Sequence, residues 1–329
     1  MEAIWYERTG PAAEVLQFGE VETPTPGPGE VRVRLRTSGV NPSDTKRRAG
    51  WIGLEMVHSR VIPHSDGAGT IDAVGAGVSE SRLGERVWLW NAQGGSRPYG
   101  TAAGFVVLPE ELAVPLPDGV DFGVGAGLGV PGCTAHYAVF GDGPVGGQTI
   151  LVQGGAGAVG HLAIQLATLG GARVLATVSS AGKAEIASSA GADATIDYRV
   201  ETVGDRLDDL TGGEGVDRII EVDLAANLAV DVEAIKPNGR IASFSCSSDP
   251  APVVSYYPLA FKDVRIHFLQ GYLLPPVARR SAIRDLNAWL HAGQLEVRIG
   301  ARFPLSETAA AHETLEKAGV IGKIIVDVA

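Results

Sequence analysis

Hydrophobic and polar residues alternate in the first third of the chain. The segment EVRVRLRT sets Val31, Val33 and Leu35 against an arginine at every second position. A period of two residues is typical of a β-strand with one face in the core. Two further strand-like segments follow, with glycines at the expected bends: TIDAVGAGV and ERVWLW. The pattern predicts a β-rich region at the start of the chain.

The middle third changes to strands and helices in alternation. TILVQ (149–153) is a continuously apolar strand, and the next segment spaces its large apolar residues as a buried helix does: Leu162, Ile164, Leu166 and Leu169. The alternation continues with the strand ARVLATV, the helix SSAGKAEIASSAGA and the strands ATIDY, VDRIIEV and GRIASFS. Strands that alternate with helices of about 10–15 residues predict a parallel, doubly wound sheet. Near the end of the chain we expect the strand GKIIVDV to rejoin the β-rich region.

Composition narrows the function classes. The 329 residues predict two domains at roughly 150 residues each. A net charge of −11 disfavours nucleic acid and membrane surfaces as partners. Two distant cysteines, Cys133 and Cys246, exclude a disulfide framework and a structural zinc cluster of cysteines. The N-terminal MEAIWYERTG is too polar for a signal peptide, so we expect a cytoplasmic protein.

A glycine-rich loop follows the strand TILVQ. Residues 155–160 read G-A-G-A-V-G, the dinucleotide fingerprint G-x-G-x-x-G. With 44 glycines in the chain the match alone is weak, but its position between a strand and a helix is the context that the motif requires. Gly155 is expected in the tight turn, Gly157 where the backbone approaches a pyrophosphate, and Gly160 where helix and strand pack closely. The positive end of the helix favours the same anion.

The end of the second strand indicates which dinucleotide binds. An NAD site places Asp or Glu there to hold the ribose 2′-hydroxyl. Here the segment ATVSSAGK has no carboxylate between Ala176 and Lys183, and it offers Ser179, Ser180 and Lys183 to a 2′-phosphate. Tyr198 adds a further hydroxyl at the end of ATIDY. The sequence therefore predicts NADPH, with a solvated helix lysine as the alternative interpretation of Lys183.

These segments, with GVNPSDTKRRAG, SDGAGTIDAVGAGV and GERV, resemble the medium-chain dehydrogenase/reductase superfamily. Within it the chain is similar to the zinc-independent NADPH:quinone oxidoreductases, the group that includes zeta-crystallin. The resemblance implies an α/β fold in which a Rossmann domain (125–267) interrupts a GroES-like catalytic domain (1–124 and 268–329). It also implies a homodimer joined through the last Rossmann strand, VRIHF.

The resemblance also assigns site residues. It places Asn41, Asp44 and Thr134 at the nicotinamide end, and Ala158 and Val159 at the pyrophosphate. The remaining implied cofactor contacts are Ser179, Lys183 and Tyr198 at the 2′-phosphate, Ser245 near the nicotinamide ribose, and Lys323 in the C-terminal G-K pair. Simpler roles stay open, since Asn41 before Pro42 suits a turn and Thr134 suits a helix cap.

A catalytic zinc is not expected. By the resemblance, the three ligand positions of zinc-dependent relatives fall on Asn41, Ser65 and Val130. His64 lies one residue from the second position and Cys133 three from the last. Zinc needs three or four converging nitrogen, sulfur or carboxylate ligands, and these residues do not supply them.

The implied activity is transfer of a hydride from NADPH to a quinone or a similar conjugated carbonyl. Asn41 is the first candidate to hydrogen-bond the acceptor oxygen, and Lys46 the second. Lys46, Arg47 and Trp51 stand where many quinone reductases carry tyrosines, which leaves the substrate open. The alternatives are an alkenal or enoyl C=C reductase, an alcohol dehydrogenase (disfavoured without zinc), and a non-catalytic NADPH-binding module.

Overall fold

The computed structural model describes residues 1–53 and 55–328. They form two compact units. The first joins Met1–Val130 with the segment from Ile283 onward, and the second is Pro131–Ala282. The sequence placed the boundaries at 124/125 and 267/268, whereas the units divide at 130/131 and 282/283. Both divisions fall inside helices, where no change of composition marks them.

The elements of the first segment are mostly strands. They are β1 (Glu2–Trp5), α1 (Ala12–Val15), β2 (Gln17–Glu20), β3 (Glu30–Val40), α2 (Pro42–Ala49), β4 (Asp66–Val74), β5 (Arg86–Leu89), β6 (Phe105–Pro109), β7 (Ala113–Pro115), α3 (Phe122–Ala126) and α4 (Gly129–Phe140).

The second unit alternates strands and helices. After α4 come β8 (Thr149–Val152), α5 (Ala158–Leu169), β9 (Arg173–Val178), α6 (Ala181–Ser189), β10 (Ala194–Asp197), α7 (Val203–Thr211), β11 (Val216–Glu221), α8 (Leu224–Ala234), β12 (Ile235–Ser243), α9 (Tyr256–Phe261), β13 (Arg265–Phe268) and α10 (Pro276–His291). The chain then returns to the first unit with β14 (Ile299–Pro304), α11 (Thr308–Glu316) and β15 (Lys323–Asp327).

The alternating segment near residue 30 forms β3, as predicted. Val31, Val33 and Leu35 are fully buried, so one face of the strand lies in the core. The predicted strand TIDAVGAGV is shifted: β4 begins at Asp66 and ends at Val74. The next residue, Gly75, lies against the backbone of Gly27, where an added Cβ would lie 1.8 Å from the carbonyl oxygen, so only glycine fits there.

The first unit is built on a seven-stranded sheet in the order β14-β15-β3-β4-β5-β7, with β6 also paired to β3. The predicted return of the chain is confirmed within this sheet. β15 pairs antiparallel with β3 on one side and parallel with β14 on the other. This pairing brings Lys323, the first residue of β15, to the strand that ends one residue before Asn41.

The second unit contains the predicted parallel sheet. Its six strands run in the order β10-β9-β8-β11-β12-β13, and every neighbouring pair is parallel. The order reverses at β8, so the loop after β8 lies at the switch point where open α/β sheets bind ligands. Within the described ranges, no helix combines the length and hydrophobicity needed to cross a membrane.

Candidate active site

The glycine loop has the geometry of a phosphate cradle. Helix α5 begins at Ala158 with Gly157 as its N-cap. A Cβ on Gly155 would lie 2.8 Å from the Cβ of Ala176, and one on Gly160 would lie 2.3 Å from the Gly154 oxygen. These two glycines let α5 pack tightly against the sheet. At Gly157 the nearest atom to an added Cβ is 3.3 Å away, so its missing side chain keeps the helix N-terminus open to an anion.

Sequence reasoning missed Gly154. The turn between β8 and α5 takes its left-handed backbone at this residue, with φ +71°, rather than at Gly155. The Gly154 N–H donates to the Thr177 hydroxyl at 3.0 Å, and the Gly155 N–H donates to the Thr177 carbonyl at 2.9 Å. The sequence does contain a signal for this turn: QGG has two adjacent glycines, and the fingerprint accounts only for the second, Gly155.

Ser179, Ser180 and Lys183 come together at the end of β9. Ser180 is the N-cap of α6, and its hydroxyl accepts the backbone N–H of Lys183. The Lys183 ammonium donates to the Ser179 hydroxyl at 2.8 Å. Tyr198 follows β10, and its backbone N–H donates to Val178, the residue before Ser179. The four residues form a neutral-to-positive corner suited to a phosphate dianion.

Thr134 and Ser245 lie elsewhere in the second unit. Thr134 is buried within α4, in its second turn rather than at its start. Ser245 follows β12, and its backbone oxygen accepts the N–H of Leu224 at the start of α8. Its hydroxyl lies 3.1 Å from that of Ser247.

The start of helix α2 carries a buried polar cluster in the first unit. Asn41 is the N-cap, Pro42 is the first helical residue, and the Asp44 carboxylate accepts the Asn41 backbone N–H at 2.8 Å. This is the reciprocal half of a capping box, so the sequence N-P-S-D begins a helix.

Asn41, Asp66 and Lys323 form one hydrogen-bonded triangle. The Lys323 ammonium donates to Asn41 Oδ1 at 2.6 Å and to Asp66 Oδ2 at 3.0 Å. Asn41 Nδ2 donates to the same Asp66 oxygen at 2.7 Å. Because an ammonium can only donate, it fixes which end of the Asn41 amide is the oxygen. Lys323, predicted as a cofactor contact, thus belongs to the unit that contains Asn41.

The Asp44 carboxyl is almost completely buried. Burial raises the pKa of Asp44 to about 7; nearby Asp66 raises it further, and the charge of Arg47 opposes the rise. Its second oxygen, Oδ1, is buried without a hydrogen-bond partner among the residues described. The carboxyl is therefore poised to hold a proton near neutral pH.

A zinc ion does not fit this cluster. Ser65 donates its hydroxyl to the Gln93 carbonyl, and at Val130 the backbone N–H donates to Asp66 Oδ1 at 2.8 Å. The oxygens of Asn41 and Asp66 already hold the Lys323 ammonium, whose charge would repel a metal ion. In the described ranges, no three His, Cys, Asp or Glu side chains converge as a metal site.

His64 belongs to a different network of hydrogen bonds. Its Nδ1 lies 2.7 Å from the Ser38 hydroxyl, which lies 2.6 Å from the Thr101 hydroxyl, and Thr101 donates to the Asp66 carbonyl. The Nε2 atoms of His64 and His312 are 2.8 Å apart. Burial lowers the pKa of His64 well below its ordinary value, so the pair is neutral. Neither ring nitrogen of His64 is left for a metal.

Two family models cover most of the chain. Residues 27–118 match the alcohol dehydrogenase GroES-like domain, and residues 158–289 match the zinc-binding dehydrogenase family. The first match lies in the strand-rich unit. The second begins at Ala158, the first residue of α5, within the glycine fingerprint.

Individual relatives match along almost the whole chain. A quinone oxidoreductase of Pseudomonas aeruginosa is 33% identical over 317 residues, covering 95% of each chain. A 2-haloacrylate reductase of a Burkholderia species is 30% identical over 339 residues, covering 99% of this chain and 98% of the relative. A mycobacterial protein solved in complex with NADPH has a TM-score of 0.89 at 30% identity, with both chains covered in full. The chain therefore belongs to the quinone oxidoreductase family of the medium-chain dehydrogenase/reductases, as its resemblance predicted.

Proposed function

We propose that this protein is an NADPH-dependent oxidoreductase that reduces a quinone or a similar conjugated carbonyl without zinc. One observation carries the proposal: an open glycine loop at the switch point of a parallel sheet, next to a corner of Ser179, Ser180 and Lys183 that has no carboxylate. Relatives named as quinone oxidoreductases, and a family member solved with NADPH, support the same function.

The second unit would hold the dinucleotide. The backbone N–H groups of Ala158 and Val159, in the first turn of α5, would hold the pyrophosphate, while Gly157 would leave room for its approach. Ser179 and Lys183 would donate to the 2′-phosphate, and Tyr198, directly after β10, would add a hydroxyl. Thr134 and Ser245 are assigned to the nicotinamide end by family resemblance. The bound NADPH supplies the hydride, and the protein supplies position and hydrogen bonds.

The first unit would act on the acceptor. Asn41 uses one Nδ2 hydrogen on Asp66, which leaves the second to donate to an acceptor oxygen as negative charge develops there. The buried Lys323–Asp66 ion pair positions that amide and adds a fixed positive charge beside it. Asp44 holds the Asn41 backbone and carries a proton near neutral pH. These neutral and cationic donors do the work that zinc does in metal-dependent relatives.

A C=C reductase is the second candidate. A relative named as a 2-haloacrylate reductase is 30% identical to this chain, and an acrylate is a conjugated acid. Lys46, on α2 five residues after Asn41, lies over the Trp51 ring with its ammonium 5.2 Å from the ring centre. This cation is placed on the helix that carries Asn41 and suits an anionic acceptor better than a quinone.

Turnover of NADPH against a panel of quinones, enals, enones and acrylates tests both candidates. Oxidation of NADPH by quinones supports the first, and preferred oxidation by acrylates or enals supports the second. Tight binding of NADPH with no turnover on any acceptor would favour a non-catalytic binding module. Elemental analysis should find no stoichiometric zinc, and a chelator should leave the rate unchanged; one tightly bound zinc per chain would contradict the proposed donors.

We also propose that the protein is a cytoplasmic homodimer. Strand β13 is an outer strand of the six-stranded sheet, paired only to β12 in this order. Exposed aromatic side chains lie on it and on the preceding helix, including Phe268 and Phe261, which are 67% and 84% exposed. An open strand edge beside exposed apolar groups is suited to pairing with a second copy.

A further inference from the structure

Two fully buried carboxyl groups lie next to the glycine loop. Glu221 is the last residue of β11, and Asp231 lies on α8, which packs on the same sheet. Neither residue belongs to the fingerprint or to the predicted cofactor contacts. Buried carboxyl groups are costly unless they are paired or hydrogen-bonded, so their retention needs a physical reason.

Hydrogen bonds connect Asp231 to Gly154, the residue immediately before the glycine fingerprint. The Gly154 N–H donates to the Thr177 hydroxyl at 3.0 Å, and that hydroxyl donates to Gln153 Oε1 at 2.7 Å. Gln153 Nε2 then donates to Asp231 Oδ1 at 3.0 Å. The Thr177 hydroxyl accepts the backbone N–H and gives its one hydrogen to the Gln153 oxygen, which turns the Gln153 amide nitrogen towards Asp231. Asp231 Oδ1 must therefore be an acceptor.

Glu221 is anchored in the same way at one oxygen. Its Oε1 accepts the Asn227 amide at 2.9 Å and the Asp223 backbone N–H. The two carboxyl groups are neighbours and interact directly. The other two oxygens, Glu221 Oε2 and Asp231 Oδ2, are buried, and no donor of the described residues reaches them.

Two ionised carboxylates cannot share this space. Burial raises the pKa of Asp231 well above its ordinary range, and the charge of Glu221 raises it further. Burial also raises the pKa of Glu221, against the hydrogen bonds that it accepts. Of the groups that face the pair, Asp223 is also charged and adds to the rise, while Gln153, Asn227 and Thr177 are neutral. A single proton between the two unpartnered oxygens satisfies both.

We propose that Asp231 and Glu221 share one proton, and that this proton makes them positioning residues for the dinucleotide loop. With the proton in place, Asp231 Oδ1 holds Gln153, Gln153 orients the Thr177 hydroxyl, and Thr177 holds the Gly154 N–H. Loss of the proton sets two buried charges against each other, which separates the carboxyl groups and releases Gln153. The inference rests on the proposed function only in that the loop binds NADPH.

The shared proton can be measured without cofactor. At pH 8 the infrared spectrum of the wild-type protein should contain a band for a protonated carboxyl group that both Asp231→Asn and Glu221→Gln lose. The band should remain in Asp208→Asn, a control on the exposed face of α7. No difference between wild type and the two buried variants would overturn the shared proton, whether or not NADPH binds.

The effect on the loop is measured by NADPH dissociation constants between pH 7 and pH 9.5. Asp231→Asn keeps an oxygen for Gln153 and offers an amide hydrogen to Glu221, so it should bind within a factor of about three of wild type at pH 7. Asp231→Ala removes the acceptor and should bind about tenfold more weakly.

The pH profiles decide the role of the proton. The affinity of the wild-type protein for NADPH should fall as the pH rises. The affinity of Asp231→Asn should fall less, because the amide of this variant has no such proton to lose. Parallel profiles for these two proteins would overturn the positioning role, as would equal losses for Asp231→Asn and Asp231→Ala. A wild-type protein that does not bind NADPH at any pH would instead overturn the proposed function, and the infrared result would still decide the shared proton.

Discussion

At the scale of single residues, the site depends on side chains whose partners fix their orientation. Lys323 sets the direction of the Asn41 amide, Ser180 fixes the first turn of α6, and Ser179 holds the Lys183 ammonium. Each contact involves only a few atoms, but it determines which hydrogen-bonding group is presented to a ligand. Substitutions at Ser179 and Ser180 should therefore change binding more than folding, whereas loss of Lys323 would also leave the buried Asp66 carboxylate unpaired.

Lys183→Ala should weaken NADPH binding by roughly 10- to 100-fold, because a charge-assisted hydrogen bond is worth about 1.5–3 kcal/mol. Binding of NADH should be nearly unchanged, since NADH has no phosphate for Lys183 to contact. The check is the pair of dissociation constants for wild type and variant, with the exposed Lys317→Ala as control. Equal losses for both cofactors would mean that Lys183 supports the fold and does not bind the phosphate.

Asp44 should make the free energy of unfolding depend on pH. Its pKa is raised to about 7, so the folded chain holds this proton more tightly than the unfolded chain. Its stabilising contribution is full below the ordinary carboxyl pKa and is lost as the pH rises through about 7, by up to roughly 4 kcal/mol. Asp44→Asn keeps an acceptor for the Asn41 N–H and has no proton to lose.

Chemical denaturation between pH 4.5 and pH 8 measures this effect. The wild-type unfolding free energy should fall over the range more steeply than that of Asp44→Asn. Identical slopes for the two proteins would show that the buried carboxyl is already ionised in the folded chain at low pH.

At the scale of elements, the glycines of the loop divide into two groups. Gly155 and Gly160 allow α5 to pack on the sheet, whereas Gly157 leaves its N-terminus open. The distinction is invisible in the motif, where all three glycines look alike. It predicts that two chemically identical substitutions will have different consequences.

Gly160→Ala should destabilise the fold by about 1–3 kcal/mol, because its methyl group would meet a backbone oxygen at 2.3 Å. Gly157→Ala should lose clearly less stability, since its backbone is in an ordinary region and its methyl group would lie 3.3 Å from the Gly154 oxygen, a tight contact that a small shift relieves. It should weaken NADPH binding about tenfold or more, because the methyl group occupies the approach of the pyrophosphate. Unfolding curves and dissociation constants for both variants are the measurement, and similar stability losses for both would contradict the division.

Periodicity identified most of these elements, because β3 and the strands of the parallel sheet bury their apolar residues in the pattern that the sequence displays. The polar partnerships were harder to predict. Asp66 and Lys323 are 257 positions apart, and no local pattern links them. Glu221 and Asp231 are ten positions apart, and no local pattern in the sequence pairs them. Such pairs are set by the register of strands and the packing of a helix, which only the folded chain displays.

At the scale of the whole molecule, the proposed homodimer depends on the outer strand β13. Phe268→Lys places a charge on that strand and should shift the protein from dimer to monomer. The control is Val200→Lys. Val200 lies after β10 and is 81% exposed, so this substitution should leave the mass of the dimer unchanged. Sedimentation or light scattering at several concentrations gives the masses, and a wild-type protein that is monomeric throughout would contradict the dimer.

The pairing of β15 with β3 has a consequence for biosynthesis. A ribosome that adds about 5–20 residues per second completes β3 roughly 15–60 s before Asp327 is made. The second unit is one continuous segment, so its parallel sheet can close during this interval. The first unit must wait with the Thr37–Val40 edge of β3 unpaired and the Asp66 carboxylate lacking its lysine. The second unit can therefore fold before the first unit is complete. The early strands of the first unit stay exposed for longest, and we expect a chaperone to bind there.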